Sequence, residues 1–211
     1  MFITFEGIEG CGKTTQIRRL ARRLKGYGIP LVATMEPGGT HIGARIRRIL
    51  LDAKSRDLTP LAELNLYMAD RAQHVEEVIR PALEAGKWVL CDRFFDATMA
   101  YQGSARGQDG ALIRFLNDRT TQGIVPNMTF LLDCPVEVGL QRALKRNREG
   151  PQEGQDRFEK ETNAFHRKVR AAYLALAEAY HERFVVIDSS RGADDTERAI
   201  FDHVIPYLDP A

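Results

Sequence analysis

A glycine-rich segment near the start of the 211-residue chain carries its clearest chemical signal. Residues 7–14 read GIEGCGKT and match the pattern G-x-x-x-x-G-K-[ST] between an apolar run and a helix-like stretch. Such glycines let several main-chain N–H groups point at one phosphate, and the start of the next helix adds positive charge. We expect Lys13 to neutralise the outer phosphates of a nucleoside triphosphate and Thr14 to offer its hydroxyl to Mg²⁺. The predicted triphosphate site comprises Gly7, Ile8, Glu9, Gly10, Cys11, Gly12, Lys13, Thr14 and Thr15.

A phosphate loop of this kind needs a carboxylate that helps to hold the metal ion. Asp92 directly follows the apolar run WVLC and is the preferred candidate, acting through a coordinated water because Mg²⁺ keeps much of its hydration shell. Asp133 and Asp188 also end apolar runs and are the alternatives. Asp133 is better suited to cap the helix that follows it. The predicted metal ligands are therefore Thr14 and Asp92.

These residues need a scaffold that brings the ends of separate strands together. Five short apolar runs are predicted as strands, at residues 2–6, 30–35, 88–92, 128–133 and 184–188. Seven helix-like stretches alternate with them, at residues 13–25, 40–52, 59–85, 110–121, 136–148, 157–182 and 194–208. The mostly continuous apolar strands predict a sheet covered on both faces. The fold class is therefore α/β, with a doubly wound, five-stranded parallel sheet flanked by helices in a single domain over residues 1–211.

Local signals refine these boundaries. Thr59 and Pro60 provide an N-cap and a first-turn proline for the third helix, whereas Pro81 inside that helix predicts a kink or an end. Residues 147–155 (NREGPQEGQ) are rich in glycine, proline and charge. This composition predicts either a plain solvated loop or a mobile lid.

Four further motifs accompany the phosphate loop. They are EPGGT at 36–40, LYMADR at 66–71, DRFFDATMAYQG at 92–103, and a tail that runs from DRFE at 156–159 through Phe165 and Val169-Arg170 to Tyr173. With these five ordered motifs, nearly the whole chain resembles the thymidylate kinases of the bacterial type. The resemblance implies a P-loop NTPase fold with a short mobile lid at roughly residues 142–157. It also implies ATP-dependent phosphorylation of dTMP to dTDP, with Mg²⁺ as cofactor.

The acceptor motifs make chemical sense on helices. Tyr67 and Arg71 are four residues apart and share one helix face, where a ring can stack on a base and a guanidinium can donate to its carbonyl edge. Thr98 and Tyr101 could place a hydroxyl near the base and an aromatic wall near the sugar. The resemblance implies that Tyr67 stacks on thymine, that Arg71 and Thr98 read its polar edge, and that Tyr101 disfavours ribonucleotides. Core packing is the alternative for the tyrosines, and an ion pair with Asp70 or Glu63 is the alternative for Arg71.

The remaining acceptor contacts concern the phosphate and the sugar. The resemblance implies that Arg93 binds the acceptor monophosphate beside the donor and that Glu9 accepts a hydrogen bond from the 3′-hydroxyl. Arg47 is expected to join Arg93, although Arg45 and Arg48 compete for that role. The predicted dTMP site comprises Glu36, Arg47, Tyr67, Arg71, Arg93, Thr98, Tyr101 and Gln102.

Phosphoryl transfer also needs positive charge near the oxygens of the transferred group. Some thymidylate kinases carry a basic residue inside the phosphate loop, in the region where this chain has Gly10, and in the bacterial type a lid arginine supplies the charge instead. The candidates are Arg142, Arg146, Arg148 and Arg157, of which we expect Arg148 or Arg146 to act. The predicted catalytic residues are Lys13, Arg93, Glu9, Arg146 and Arg148.

Three positions depart from the pattern of the resembled family. Met35 stands where an arginine is common, Tyr67 where phenylalanine is common, and Ala97 where a serine often occurs. None of these changes removes a group that transfer requires. Met35 weakens the charge network expected beneath the acceptor phosphate, and base selectivity is expected to be less strict.

Composition narrows the class of partner. The 30 Lys and Arg residues against 29 Asp and Glu residues leave a net charge of +1, so no overall field favours nucleic acid or an anionic membrane. No apolar run approaches the ~18 residues of a membrane span, and the first residues lack a secretion signal. The three cysteines form no CxxC pair, and their odd number argues against a disulfide framework. We therefore expect a cytoplasmic protein whose partners are ATP and dTMP.

Two further questions remain open at this point. The resemblance implies a homodimer, and apolar residues such as Leu61, Leu64 and Met68 would allow one, although core packing explains them equally well. The rival functions are a kinase of another nucleotide or small acceptor and an ATP-binding module without turnover. The pairing of Tyr67 with Arg71 speaks against the module, because a regulatory switch needs effector surfaces rather than an aromatic–arginine pocket.

Overall fold

The computed structural model describes residues 1–55, 57–149 and 157–208, so residues 150–156 of the predicted lid lie outside the described residues. The five strands are β1 (Phe2–Glu6), β2 (Leu31–Met35), β3 (Trp88–Asp92), β4 (Met128–Asp133) and β5 (Phe184–Asp188). All pairings are parallel, and the strand order is β2-β3-β1-β4-β5. The five predicted strands are confirmed, with the second beginning one residue later than predicted.

Helices connect these strands and cover the sheet. The α-helices of the described residues are α1 (Lys13–Gly26), α2 (His41–Leu51), α3 (Pro60–His74), α4 (Arg80–Glu84), α5 (Phe95–Thr98), α6 (Gly110–Thr121), α7 (Val136–Glu149), α8 (Asn163–Ala179) and α9 (Ala193–Val204). Two π-helical segments, Val75–Ile79 and Met99–Ala105, and a 3-10 turn at Ile205–Tyr207 complete them. None of these helices combines the length and the apolarity that crossing a bilayer requires.

Two predicted helices are shorter in the structure. The predicted helix over 157–182 begins only at Asn163, because residues 157–162 form turns and the Thr162 hydroxyl accepts the N–H of Phe165 (3.2 Å) as an N-cap. The predicted helix over 194–208 ends at Val204, where the 3-10 turn begins.

The third helical run begins as predicted, and its α-helical pattern is interrupted just before Pro81. Thr59 accepts the N–H of Ala62, and Pro60 stands in the first turn of α3. The run then passes through the first π-helical segment into α4, with Pro81 in the first turn of α4. A proline is tolerated there because the first turn of a helix leaves N–H groups without helical partners.

Coverage of the sheet differs between its centre and its edges. Every residue of β1 is buried, whereas the edge strands β2 and β5 expose Met35 (42 %) and Val186 (49 %). The prediction that the strands are covered on both faces therefore holds at the centre and is wrong at the edges. Edge strands have a neighbour on one side only, so the flanking helices do not cover them fully.

The strand order fixes where a ligand can bind. The connection from β1 leads past β3 to β2, and the connection from β3 leads past β1 to β4. The neighbouring strands β1 and β3 thus send their connections in opposite directions, and such a point leaves a crevice at the carboxyl edge of the sheet. Phe5 pairs with Asp92 across these strands, so the phosphate loop and Asp92 meet at that crevice.

Candidate active site

A cleft of about 790 Å³ opens along this edge of the sheet. Residues 9–16 line one end, and Tyr67, Arg71, Thr98 and Tyr101 line the other. The two predicted subsites, which are distant in sequence, therefore share one cavity. Gly7 and Ile8, the first two residues of the loop, do not line the cleft, and their carbonyl groups accept hydrogen bonds from Lys13.

The phosphate loop is held by contacts within itself. Gly12 adopts a left-handed conformation (φ 101°) directly before α1, a conformation that glycine reaches without strain. Lys13 is buried, and its Nζ donates to the carbonyls of Gly7 (3.1 Å) and Ile8 (2.9 Å). At the start of α1 the Thr14 hydroxyl donates to Asp92 Oδ2 (2.6 Å). The preferred metal pair of the sequence analysis is thus in direct contact.

The alternative carboxylates have other partners. Both oxygens of Asp133 accept from Arg170, at 2.7 and 2.8 Å, an ion pair that the capping interpretation did not anticipate. Asp188 accepts from Ser190 and Arg191 on the surface. Neither carboxylate lines the cleft, whereas Asp92 does.

Two glycines explain why the loop carries no basic residue at position 10. A Cβ on Gly10 would lie 1.9 Å from the carbonyl oxygen of Gly139 in α7, and a Cβ on Gly139 would lie 2.6 Å from the carbonyl oxygen of Glu9. The loop and α7 therefore touch backbone to backbone. A side chain at either position would force them apart, so the charge for transfer has to come from another segment.

Arg71 is the centre of a buried hydrogen-bond network at the acceptor end. It is 1 % exposed, and its Nε donates to Glu36 Oε2 (2.9 Å). One terminal nitrogen donates to Thr98 Oγ1 (3.0 Å) and the other to Asn117 Oδ1 in α6 (2.7 Å). The alternative of an ion pair with Asp70 or Glu63 is wrong. Because each nitrogen has a fixed partner, the guanidinium plane is held at the wall of the cleft.

A second layer supports Glu36. His74 Nδ1 lies 2.9 Å from Glu36 Oε1, and His74 Nε2 lies 2.6 Å from the Thr34 hydroxyl. Burial and the nearby Glu36 charge raise the pKa of Asp70 to about 6, although its carboxylate accepts the N–H of Gly38 (3.0 Å). Glu36 thus lines the cleft as part of a polar layer that orients Arg71 from below.

Glu9 faces the acceptor side of the cleft, as the sequence predicts. Its Oε1 accepts from the Tyr101 hydroxyl (2.6 Å) and from Arg93 (3.0 Å), and its Oε2 lies 3.2 Å from His166 Nδ1. Burial opposes ionisation of this carboxyl, but His166, Arg93 and Lys13 outweigh burial and lower the pKa of Glu9 to about 2. Glu9 is therefore an anion that can accept a hydrogen bond from a hydroxyl group.

Arg93 stands between the two ends of the cleft. Its backbone is left-handed (φ 70°), a conformation that costs energy for a residue other than glycine. One terminal nitrogen donates to the Tyr173 hydroxyl (2.9 Å), and the other donates to Glu9 and to the Tyr101 hydroxyl (2.9 Å). Such strain at a cleft residue indicates a position fixed for function.

The other predicted acceptor residues also reach the cleft. Tyr67 lines it, and burial raises the pKa of its phenol, which keeps the ring neutral. Arg47 lines it and donates to the Pro37 carbonyl (2.8 Å), whereas Arg45 and Arg48 on the same helix do not line it. Gln102 lines it and donates to Glu63 (2.8 Å).

The four candidate lid arginines separate clearly. Arg142 and Arg146 line the cleft, where Arg142 donates to the Ser189 carbonyl (3.0 Å) and Arg146 pairs with Glu159 (2.9 Å). Arg148 does not line it. Arg157 is buried, pairs with Glu63 and donates to the Leu50 carbonyl (2.9 Å), so it anchors the chain after the predicted lid.

Three residues of the site were missed by sequence reasoning. Tyr173 lies in the tail motif, but nothing in that motif relates it to Arg93. Asn117 follows buried Ile113 by one turn of α6, and a polar residue on an otherwise buried helix face is a signal for such a contact. His166 beside Glu9 gives no signal in the sequence. The donor end of the cleft is further lined by Ser189, Gly192, Ala193 and Thr196.

Comparisons with known proteins agree with this geometry. Residues 5–200 match the family model for thymidylate kinase. The chain is 56 % identical over 207 residues to a thymidylate kinase of Geotalea uraniireducens, covering 98 % of this chain and 97 % of that protein. It is 57 % identical over 195 residues to a thymidylate kinase of Geobacter sp. strain M21, covering 92 % and 87 %.

A solved structure extends the likeness to the fold. The crystal structure of thymidylate kinase from Ehrlichia chaffeensis superposes with a TM-score of 0.76 at 34 % identity, covering 97 % of this chain and 98 % of that one. The chain therefore belongs to the thymidylate kinase family of P-loop NTPases, whose reaction is the ATP-dependent phosphorylation of dTMP to dTDP.

Proposed function

We propose that the two ends of the cleft divide this reaction between them, with ATP phosphates on residues 9–15 and dTMP between Tyr67, Arg71, Thr98 and Tyr101. The supporting observation is that one cavity is lined by both sets of residues. In this arrangement Tyr67 stacks on thymine, a second N–H of a terminal Arg71 nitrogen donates to its carbonyl group, and Glu9 accepts from the 3′-hydroxyl.

The phosphate of dTMP is proposed to lie between Arg93 and Arg47. It is already an anion at neutral pH, so its oxygen attacks the γ-phosphorus of ATP in line without a strong general base, and the bond from the γ-phosphorus to the β,γ-bridging oxygen breaks to release ADP. Arg93 contacts the transferred phosphoryl group from the acceptor side, and Lys13 contacts it from the donor side. Of the two lid arginines expected from the sequence, Arg146 is preferred over Arg148 because it lines the cleft, as Arg142 also does.

Mg²⁺ is the proposed cofactor, held by Thr14 and Asp92. Their side chains supply a hydroxyl and a carboxylate 2.6 Å apart at the donor end, and hard oxygen atoms of this kind suit Mg²⁺. No group of three His, Cys, Asp or Glu side chains suited to a metal occurs among the described residues. A pair fits an ion that keeps several waters and binds substrate phosphates. When bound, the ion would neutralise charge on the phosphate oxygens of ATP.

Assembly and compartment are also proposals. Leu64 and Met68 are buried against Ile113, so the interpretation of these two residues as a dimer surface gives way to core packing. Leu61 is 56 % exposed and remains available to a second copy of the chain. We expect a homodimer, tested by light scattering of the parent and of Leu61→Glu. The three buried free cysteines suit the reducing cytoplasm.

A panel of acceptors tests the assignment of the two ends. ADP release is measured with dTMP, dUMP, thymidine, AMP and no acceptor. We expect fastest release with dTMP and much slower release with AMP, because adenine lacks the carbonyl group to which Arg71 is proposed to donate. Equal release with and without acceptor would contradict the acceptor site. The Arg93→Ala variant should lower kcat/KM for dTMP about 10²-fold or more. A value within about threefold of the parent would refute the role of Arg93.

A further inference from the structure

Glu6, the last residue of β1, is a buried carboxylate to which no step of the proposed mechanism assigns a role. It is 0 % exposed. Its Oε1 accepts the main-chain N–H of Phe94 (2.7 Å), and its Oε2 accepts the hydroxyl proton of Tyr173 (2.7 Å). Burying an ionisable carboxylate is costly, so its partners are informative.

Both partners of Glu6 lead to Arg93. Phe94 directly follows Arg93, so the Phe94 N–H bond fixes the chain where the strained backbone of Arg93 ends. The Tyr173 hydroxyl, in turn, accepts from a terminal nitrogen of Arg93 (2.9 Å). One oxygen of Glu6 therefore acts on the main chain next to Arg93, and the other acts on its guanidinium through Tyr173.

We propose that Glu6 is a positioning residue that holds Arg93 in its transfer geometry through Phe94 on one side and Tyr173 on the other. The inference rests on the proposed role of Arg93. Glu6 does not line the cleft. It determines where the charge of Arg93 lies, and a displacement of about 1 Å in a group that contacts the transferred phosphoryl can cost ~10²-fold in rate.

The arrangement requires the ionised form of Glu6. Phe94 and Tyr173 both donate hydrogen bonds to its oxygens. If Oε2 carried a proton, the Tyr173 hydroxyl could no longer donate to Oε2 and would have to turn its own hydrogen elsewhere, although Arg93 already donates to its oxygen. Burial and the charge of Asp96 raise the pKa of Glu6 to about 7, against the opposing effect of Arg93. The titratable or charged groups that face Glu6 from the surrounding elements are Asp96, Arg93, Tyr173 and Cys91. Protonation near neutral pH is thus expected to loosen Arg93.

Tyr173→Phe is the principal test, because it removes one hydroxyl from α8 and leaves the phosphate loop untouched. We expect kcat to fall roughly tenfold while KM for ATP stays within about twofold. Glu6→Gln should lower kcat at least as much, since the amide nitrogen cannot accept from Tyr173 and the side chain also bonds Phe94. Combining Tyr173→Phe with Glu6→Gln should add little to the effect of Glu6→Gln alone.

A matched control separates positioning from stability. Thr4 lies two residues earlier on β1, is equally buried, and shares a hydrogen bond with Thr129 (2.8 Å). Thr4→Val should lower Tm and leave kcat unchanged. Should Thr4→Val reduce kcat as much as Tyr173→Phe does, Glu6 would be a structural residue and the proposal would be wrong.

The Arg93→Ala background separates this inference from the role of Arg93 itself. If Glu6 acts through Arg93, then Tyr173→Phe has no further effect on kcat once Arg93 is alanine. If Tyr173→Phe still lowers kcat tenfold in the Arg93→Ala background, the proposed role of Glu6 is wrong, but the role of Arg93 stands. A parental rate for Arg93→Ala refutes the role of Arg93 instead, and with it this inference.

The pH profile of kcat gives an independent readout. The parent should show a rise in kcat through about pH 7 that Glu6→Gln lacks. Substrate phosphates titrate near pH ~6 in both proteins and cancel in the comparison. Identical profiles for the two proteins would overturn the proposal. If Glu6→Gln does not fold, Tyr173→Phe and its combination with Arg93→Ala still decide the outcome.

Discussion

The donor and acceptor ends of the cleft are built in opposite ways. The phosphate-binding part of the donor end is one contiguous loop, in which Lys13 bonds the carbonyls of Gly7 and Ile8 a few residues away. The acceptor end is assembled across the fold, and Arg71 alone joins side chains 27, 35 and 46 residues distant. Local backbone geometry therefore makes the first site, and tertiary packing makes the second. Loss of a side chain should affect chemistry at the donor end, and both binding and stability at the acceptor end.

Lys13→Ala gives the largest expected effect and tests the donor half of this contrast. We expect kcat to fall about 10³-fold, because the variant lacks the positive charge that neutralises the outer phosphates of ATP. The free energy of unfolding should change by only about 1 kcal/mol, since the contacts of Lys13 are local. Steady-state kinetics and urea unfolding measure the two quantities. A stability loss several times larger would show that the loop depends on its lysine to fold.

Arg146→Ala should have the next largest effect. This arginine lines the cleft from α7 and is expected to contact the transferred group, so we expect kcat to fall roughly 10²-fold. Arg148, one residue beyond the neighbouring Asn147, donates to the Leu144 carbonyl (3.4 Å) and serves as the matched control. Arg148→Ala should change kcat by less than about threefold. The reverse ranking would reassign the lid arginine.

Asn117→Ala tests the acceptor half. Removing its carbonyl oxygen frees one arm of Arg71, and we expect KM for dTMP to rise roughly tenfold with KM for ATP unchanged. Thr121 lies one turn later on the same buried face of α6 and provides the control. Thr121→Val should leave both KM values as they are. Equal rises in KM for ATP and dTMP would indicate general loosening instead.

Glu9 tests the boundary between the halves, because it lies in the donor loop and its partners belong to the acceptor end. Its pKa is lowered from 4.5 to about 2 in the folded protein, so its ionised form stabilises the fold above about pH 4.5. That contribution is lost as the pH falls toward 2. We expect Glu9→Gln to be less stable than the parent at pH 7 and to approach it at pH 3. A constant difference between these pH values would contradict the lowered pKa.

The same contrast explains what could be predicted from the sequence. The loop, Asp92 and the five strands follow from contiguous patterns, and they were found within a residue or so. The roles of Tyr67, Arg71 and Thr98 came from family resemblance, and helical spacing merely made them chemically sensible. Asn117, Tyr173 and His166 were missed because their partners lie 46, 80 and 157 residues away, and no local periodicity encodes such contacts.

One error in the helix boundaries has a similar origin. The start of α8 was placed too early because residues 157–162 look helical in composition. There Arg157 reaches instead to Glu63 and the Leu50 carbonyl, and Thr162 sets the true beginning. Tertiary partners thus overrode local preference at the start of this helix.

The bare contact between Gly10 and Gly139 couples the two sources of charge. Because no side chain separates the backbones of the phosphate loop and α7 at this contact, we expect a shift of the loop to move the helix with it. Arg142 and Arg146 project from α7 one and two turns beyond that contact. The position of the phosphate loop relative to the two guanidinium groups therefore depends on this one backbone contact. A methyl group at position 139 would misalign them without removing a single charge.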